Sequence, residues 1–132
     1  MIKQTFDHNI YIEICDKLKD VKNCKLKANT LYAYMLDKDT FTYTSHDKDK
    51  MNGCLVVKSF RDNEGISSLL MLFIWIDPHY SKLHKAFMEI ANTKGKELGA
   101  KRMYFIANRN EKAIERRTGF RKVYSTYMKE VV

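Results

Sequence analysis

The chain has 132 residues, a formal net charge of +8 and 45% hydrophobic residues, which suits one globular domain with a core of its own and is too short for two. One proline and five glycines leave no linker, and no repeat or low-complexity tract is found. The longest apolar run, residues 69–76, falls far short of the roughly 20 residues of a membrane span. No signal-peptide stretch follows Met1-Ile2-Lys3-Gln4, so a cytoplasmic protein without a membrane partner is expected.

Asp7 is placed to cap a helix in which Ile10, Ile14 and Leu18 recur every fourth residue, with Tyr11 and Cys15 beside them. Residues 22–30 are polar and read as a turn, while residues 31–36 fit either a short helix or a strand. Phe41-Thr42-Tyr43-Thr44-Ser45 alternates aromatic with hydroxyl side chains, which predicts a half-exposed strand. Residues 46–52 read as a polar hairpin turn ending in the strong turn dipeptide Asn52-Gly53. Residues 54–60 predict the next strand and residues 61–65 the next turn. Residues 69–76 are apolar at every position, as in a central strand covered on both faces.

From Leu83, the positions Phe87, Ile90, Ala91 and Leu98 follow a helical period, and Gly99 fits a C-terminal cap. Gly95 inside that helix costs it about 1 kcal/mol relative to alanine. Met103-Tyr104-Phe105-Ile106 predicts a second buried strand, parallel to residues 69–76 if the helix is a crossover. Asn110 would cap a short helix over 111–117, Gly119 would end it, and residues 121–128 would form a final strand. The fold class expected is α+β (α/β three-layer), with a mixed, mostly antiparallel central sheet and one βαβ unit.

The cysteines Cys15, Cys24 and Cys54 lack metal-ligand spacing and read as free thiols in a reducing cytosol. His8, His46, His79 and His84 are scattered, so no metal is expected. Charge is less evenly spread. Residues 94–122 hold ten Lys/Arg against three Glu, an asymmetry that favours an anionic partner: a nucleotide, a nucleic acid or an acidic protein face.

The order of motifs resembles the GCN5-related N-acetyltransferase (GNAT) superfamily. Its members typically read "apolar strand, V-D-P, R-G-x-G-I-G, helix, L-G, strand, N, helix, G-F". Here Ile76-Asp77-Pro78 matches the strand end, Leu98-Gly99 the helix end, Asn108 the asparagine after the next strand, and Gly119-Phe120 the closing pair. The similarity covers roughly residues 53–129, and residues 1–50 fit as the family's variable N-terminal half, in one domain over 1–132. The chain departs from the pattern in its loop. Only Ser81-Lys82 stands where the family has four loop residues, and His84 replaces the final glycine.

The resemblance implies an acetyl-CoA-dependent N-acetyltransferase acting on an amine of a protein or small molecule. The backbone of Ile74 and Ile76 would pair with the pantetheine arm. The pyrophosphate would lie against Ser81, Lys82, Leu83, His84 and Lys85 at the start of a helix, with Asn108 nearby. Family enzymes reprotonate the thiolate with a tyrosine, and Glu115 stands at that position here. Tyr124, Tyr127, His79 and Asp77 are the other candidates for catalysis. Trp75 would border the acyl pocket or pack in the core. Two other readings stay open. One is a catalytically inactive GNAT-like interaction or structural protein with a protein partner, of the kind a virus or mobile element encodes. The other is a basic nucleic-acid-associated domain using residues 94–122 with Tyr104, Phe120 and Tyr124.

Overall fold

The computed structural model describes residues 1–21, 26–105 and 129. Its elements, in chain order, are β1 (Ile2–Gln4), α1 (His8–Asp16), α2 (Ala28–Met35), β2 (Thr40–Asp47), β3 (Lys50–Arg61), β4 (Ser67–Ile76), α3 (Leu83–Glu97) and β5 (Arg102–Phe105), with 3-10 turns at Lys17–Asp20 and Pro78–Tyr80. The strands form one five-stranded sheet in the order β1-β2-β3-β4-β5. The first three pairings are antiparallel and β4–β5 is parallel. The unit β4–α3–β5 is thus the expected βαβ crossover in a mostly antiparallel α+β sheet. The expected helix over 111–117 and strand over 121–128 lie outside the described residues.

Two apolar layers flank the sheet. Ile14, Leu31 and Met35 of α1 and α2 pack on Cys54, Val56 and Phe73 of one face. Phe87 and Ala91 of α3 pack on Leu55, Val57, Leu69 and Met71 of the other. The alternation follows from the strand period of two: Cys54 and Val56 point one way, Leu55 and Val57 the other. Asp7 caps α1 as its position predicts, accepting a hydrogen bond from the Asn9 amide at 2.8 Å. Gly99 follows α3 with φ +72°, the left-handed conformation in which a glycine is least strained.

Several local expectations are corrected. Residues 28–35 form a helix, so residues 28–30 of the expected turn over 22–30 are helical and the ambiguous residues 31–36 resolve as helix up to Met35, carried by burial of Leu31 and Met35. β2 is not half-exposed. Thr40, Thr42, Tyr43, Thr44 and Ser45 are all buried: α2 packs against β2, whose threonines share a face with Cys54 and Val56, and Tyr43 on the other face joins the α3-side core. The β2–β3 hairpin turns at Lys48-Asp49, with Lys48 at φ +58°. Asn52-Gly53 instead lies inside β3, where Gly53 leaves room for Phe87: a Cβ there would sit 2.7 Å from Phe87 Cε2. The short strand β1 carries no periodic signal and was not expected.

Candidate functional site

β4 is the element that shapes the site. Val56 lies opposite Phe73 but Val57 opposite Met71, leaving Leu72 as the extra residue of a β-bulge. A bulge bends a strand and increases its local twist. Among the described residues, pairing with β5 covers Ser68 to Met71, opposite Arg102 to Phe105, on the N-terminal side of that bulge. Past it, β4 stays paired to β3 as far as Ile76, opposite Gly53, and the Asp77 amide donates to the Asn52 carbonyl at 2.9 Å. Peptide groups alternate along a strand. With Asp77 N–H aimed at β3, those of Ile74 and Ile76 turn the opposite way, toward the β5 side and beyond the Met71–Phe105 pair. The half-buried side chains of Ile74 and Ile76 pack on the α3 layer.

The chain leaves β4 through the 3-10 turn Pro78–Tyr80. Asp77 caps it, its carboxylate accepting from the His79 amide at 2.9 Å. Ser81 and Lys82 keep right-handed helical dihedrals and run into α3. Among the described residues only Lys48, Gly65 and Gly99 have positive φ, so residues 77–85 contain no left-handed turn of the kind a glycine-rich phosphate loop uses. What stands there is a bare helix start. No side chain caps α3, its first turn holds no acidic residue, and Ser81, Lys82, His84 and Lys85 are exposed around it. Helix amides and fixed cations both favour an anion at such a place.

The structure brings Ile74, Ile76, Ser81, Lys82, Leu83, His84 and Lys85 to one end of the sheet, with Asp77 and His79 between them. Asp77 is engaged as a cap, and His79 is exposed. Asn108, Glu115, Tyr124 and Tyr127 lie outside the described residues, as does most of the basic segment 94–122. Trp75 faces the α1–α2 layer, half-buried, with the Lys17 ammonium 4.5 Å above its ring. The interior of β4 carries no acid, and among the described residues no group of three or more His, Cys, Asp or Glu could hold a metal ion. No described helix is long and apolar enough to cross a membrane.

Sequence reasoning missed a polar anchor at the opposite end of β4. The Asp62 carboxylate, its side chain 2% exposed, accepts from the amides of Glu64 (2.9 Å) and Ile66 (3.0 Å), Arg102 Nη1 (3.1 Å) and the Tyr104 hydroxyl (2.8 Å). Burial would raise its pKa; the Ile66 amide, the Tyr104 hydroxyl, the Glu64 amide and the Arg102 guanidinium outweigh burial and hold it at about 2. The turn signal at residues 61–65 was visible, but nothing local in the sequence marks Arg102 and Tyr104 as partners from forty residues away.

No protein-family model matches the chain, and no curated protein matches it in sequence. Solved structures do match in shape. An aminoglycoside 6'-N-acetyltransferase, AAC(6')-Ih, from Acinetobacter baumannii superposes with a TM-score of 0.77 at 10% identity, over 100% of this chain and 98% of that one. A ribosomal-protein-alanine N-acetyltransferase from Brucella melitensis biovar Abortus 2308 gives 0.74 at 10% identity, over 99% of both chains. A possible acetyltransferase from Clostridium difficile 630 gives 0.72 at 18% identity, over 100% of this chain and 97% of that one. The fold is that of the GNAT acetyltransferases.

Proposed function

We propose that this chain, built on the GNAT fold, is an acyl-CoA-dependent N-acetyltransferase that acts on an amine. The observation that carries the reading is the end of β4: beyond the Leu72 bulge, the peptide groups of Ile74 and Ile76 face away from β3 beside the uncapped, basic start of α3. Those peptide groups fit the amide-bearing arm of a pantetheine. Lys82, Lys85 and the first amides of α3 fit its phosphates, with cations doing what glycine-loop amides do in the family. Acetyl-CoA bound there supplies an activated thioester. This chain's own part is to hold that carrier along β4 and bring an amine to the bulge. The acceptor amine, deprotonated, attacks the thioester carbonyl, and the CoA thiolate leaves. Asp77, His79, Glu115, Tyr124 and Tyr127 are the side chains to test for the two proton transfers.

The test is a titration of acetyl-CoA into the pure protein, read by calorimetry and by Trp75 emission in parallel. Saturable binding that Lys82→Ala or Lys85→Ala weakens about tenfold, the scale of one lost charge-assisted contact, supports the reading. Absence of binding at millimolar acetyl-CoA overturns it and leaves the fold as a scaffold for a macromolecular partner.

A further inference from the structure

Residues 77–85 join β4 to α3 without a glycine, so the place where an anion would meet the first amides of α3 is shaped by whatever holds this connection. The β2–β3 hairpin holds it at both ends and in the middle. At the β4 end, the Asp77 amide donates to the Asn52 carbonyl at 2.9 Å. Asn52 is the extra residue of a second bulge, since Ser45 pairs with Gly53 but His46 with Met51, and a bulge twists the hairpin locally. At the α3 end, Gly53 brings the β3 backbone close: a Cβ there would lie 3.3 Å from Leu83 Cδ1 and 2.7 Å from Phe87 Cε2. In the middle, the Tyr80 hydroxyl donates to Asp47 Oδ2 at 2.6 Å, across 33 positions of sequence.

That middle bond has no packing to replace it. Asp47, from the hairpin tip, and Tyr80, from the turn, both line an open cavity of about 600 Å³. Among the described residues it is also the one side-chain hydrogen bond from residues 77–85 to another element. Its length is that of a charge-assisted O–H···O⁻ bond. The bond to Asp47 is the first cause of the rise of the Tyr80 phenol above its ordinary value, ahead of burial and the charges of Asp47 and Asp77. The hydroxyl therefore keeps its proton and donates throughout the neutral range. One residue on, Ser81 begins the right-handed run into α3, and its carbonyl accepts from the His84 amide at 3.2 Å. Where Tyr80 sits thus decides where Ser81, Lys82 and the first amides of α3 sit.

We propose that Tyr80 and Asp47 are positioning residues for the phosphates of the acyl carrier: their bond braces the turn and so presets the start of α3 that receives them. The inference rests on the acyl-CoA reading above. A segment ordered before its ligand arrives loses less conformational freedom on binding than one ordered by it, so the brace raises affinity without touching the ligand. Its effect has the opposite sign to plain electrostatics. Removing an acid so close to an anion site by itself favours the anion, so weaker binding after loss of Asp47 reports the lost bond.

The experiment compares the full-length wild type with Tyr80→Phe, Asp47→Ala and Asp47→Asn by two readouts. The first is amide hydrogen exchange of the free protein at Tyr80 and His84, whose N–H groups bond to the Asp77 and Ser81 carbonyls. The second is calorimetric titration with acetyl-CoA. Tyr80→Phe and Asp47→Ala should each quicken exchange at both amides and weaken acetyl-CoA about fivefold, the scale of one charge-assisted bond at an accessible position. Asp47→Asn, whose side-chain oxygen still accepts from the phenol, should stay within about twofold of wild type. The double variant Tyr80→Phe/Asp47→Ala should be no weaker than either single one, because both remove the same bond. Unchanged exchange in Tyr80→Phe overturns the proposal whatever acetyl-CoA does. Wild-type binding that Tyr80→Phe leaves intact, or that Asp47→Ala strengthens, overturns the proposal while the acyl-CoA reading stands. Absence of binding by the wild type overturns both.

Discussion

The Asp62 carboxylate stays charged inside the protein because its ring of donors outweighs burial. Its folded pKa of about 2 lies below the ordinary 3.8, so its contribution is full above the ordinary value and fades as pH falls toward the folded one. Melts recorded from about pH 5 down to about pH 2 should lose stability most steeply below about pH 4, and Asp62→Asn should flatten that limb of the curve. Thr42 is the reverse case. Its hydroxyl is buried without a partner, on a side chain 2% exposed. Thr42→Val removes the unmet group at constant shape and should raise the unfolding free energy by about 1 kcal/mol. A fall in Tm on this change would count against the unmet hydroxyl. Cys54 is closed to chemistry: burial, only partly offset by the Trp75 backbone and the Lys17 charge, pushes its thiol up to about 12. It should resist thiol reagents until the protein unfolds.

At the level of elements, the two glycines near α3 have opposite roles. A Cβ on Gly95 would meet Ala100 Cβ at 3.8 Å and Leu69 Cδ2 at 4.0 Å, which is ordinary contact. Gly95→Ala should therefore stabilise the helix by up to about 1 kcal/mol, as chemical denaturation would register. A Cβ on Gly53 would strike the ring of Phe87, which is fully buried and has nowhere to swing, at 2.7 and 3.2 Å. Gly53→Ala should cost about 1–3 kcal/mol and loosen α3 at its start. The sequence makes α1, α3, β4 and β5 legible because each has a strong local signature: a cap, a helical period with a closing glycine, or an unbroken apolar run. Asn52-Gly53 misleads because a turn dipeptide was read without Phe87, whose ring sets the need for glycine from 34 positions away. The candidate site divides the same way. Ile74, Ile76 and residues 81–85 follow from motif order, but the Leu72 bulge in the β3–β4 ladder is a property of register, which one strand's composition does not carry.

Across the whole molecule, the basic balance of +8 means that a polyanionic carrier such as acetyl-CoA should associate more slowly as ionic strength rises, a dependence that stopped-flow Trp75 emission can follow. Topology sets a further property. Strands β2, β3 and β4 are joined by tight connections, whereas β5 must return to β4 across all of α3, pairing Ser68 with Arg102, and β1 must reach β2 across both early helices, pairing Ile2 with Ser45. Loop closure over such separations is entropically slower than hairpin formation. The three-strand meander would then be the folding nucleus, and the outer described strands would join after the rate-limiting step. Core truncations in β3 should slow refolding, while truncations in β5 should chiefly quicken unfolding. On the proposed reading acetyl-CoA lies along β4 beside β5, so its binding surface would be the last part of the molecule to form and the first to open, leaving ligand well placed to act as the clasp that holds the native sheet shut.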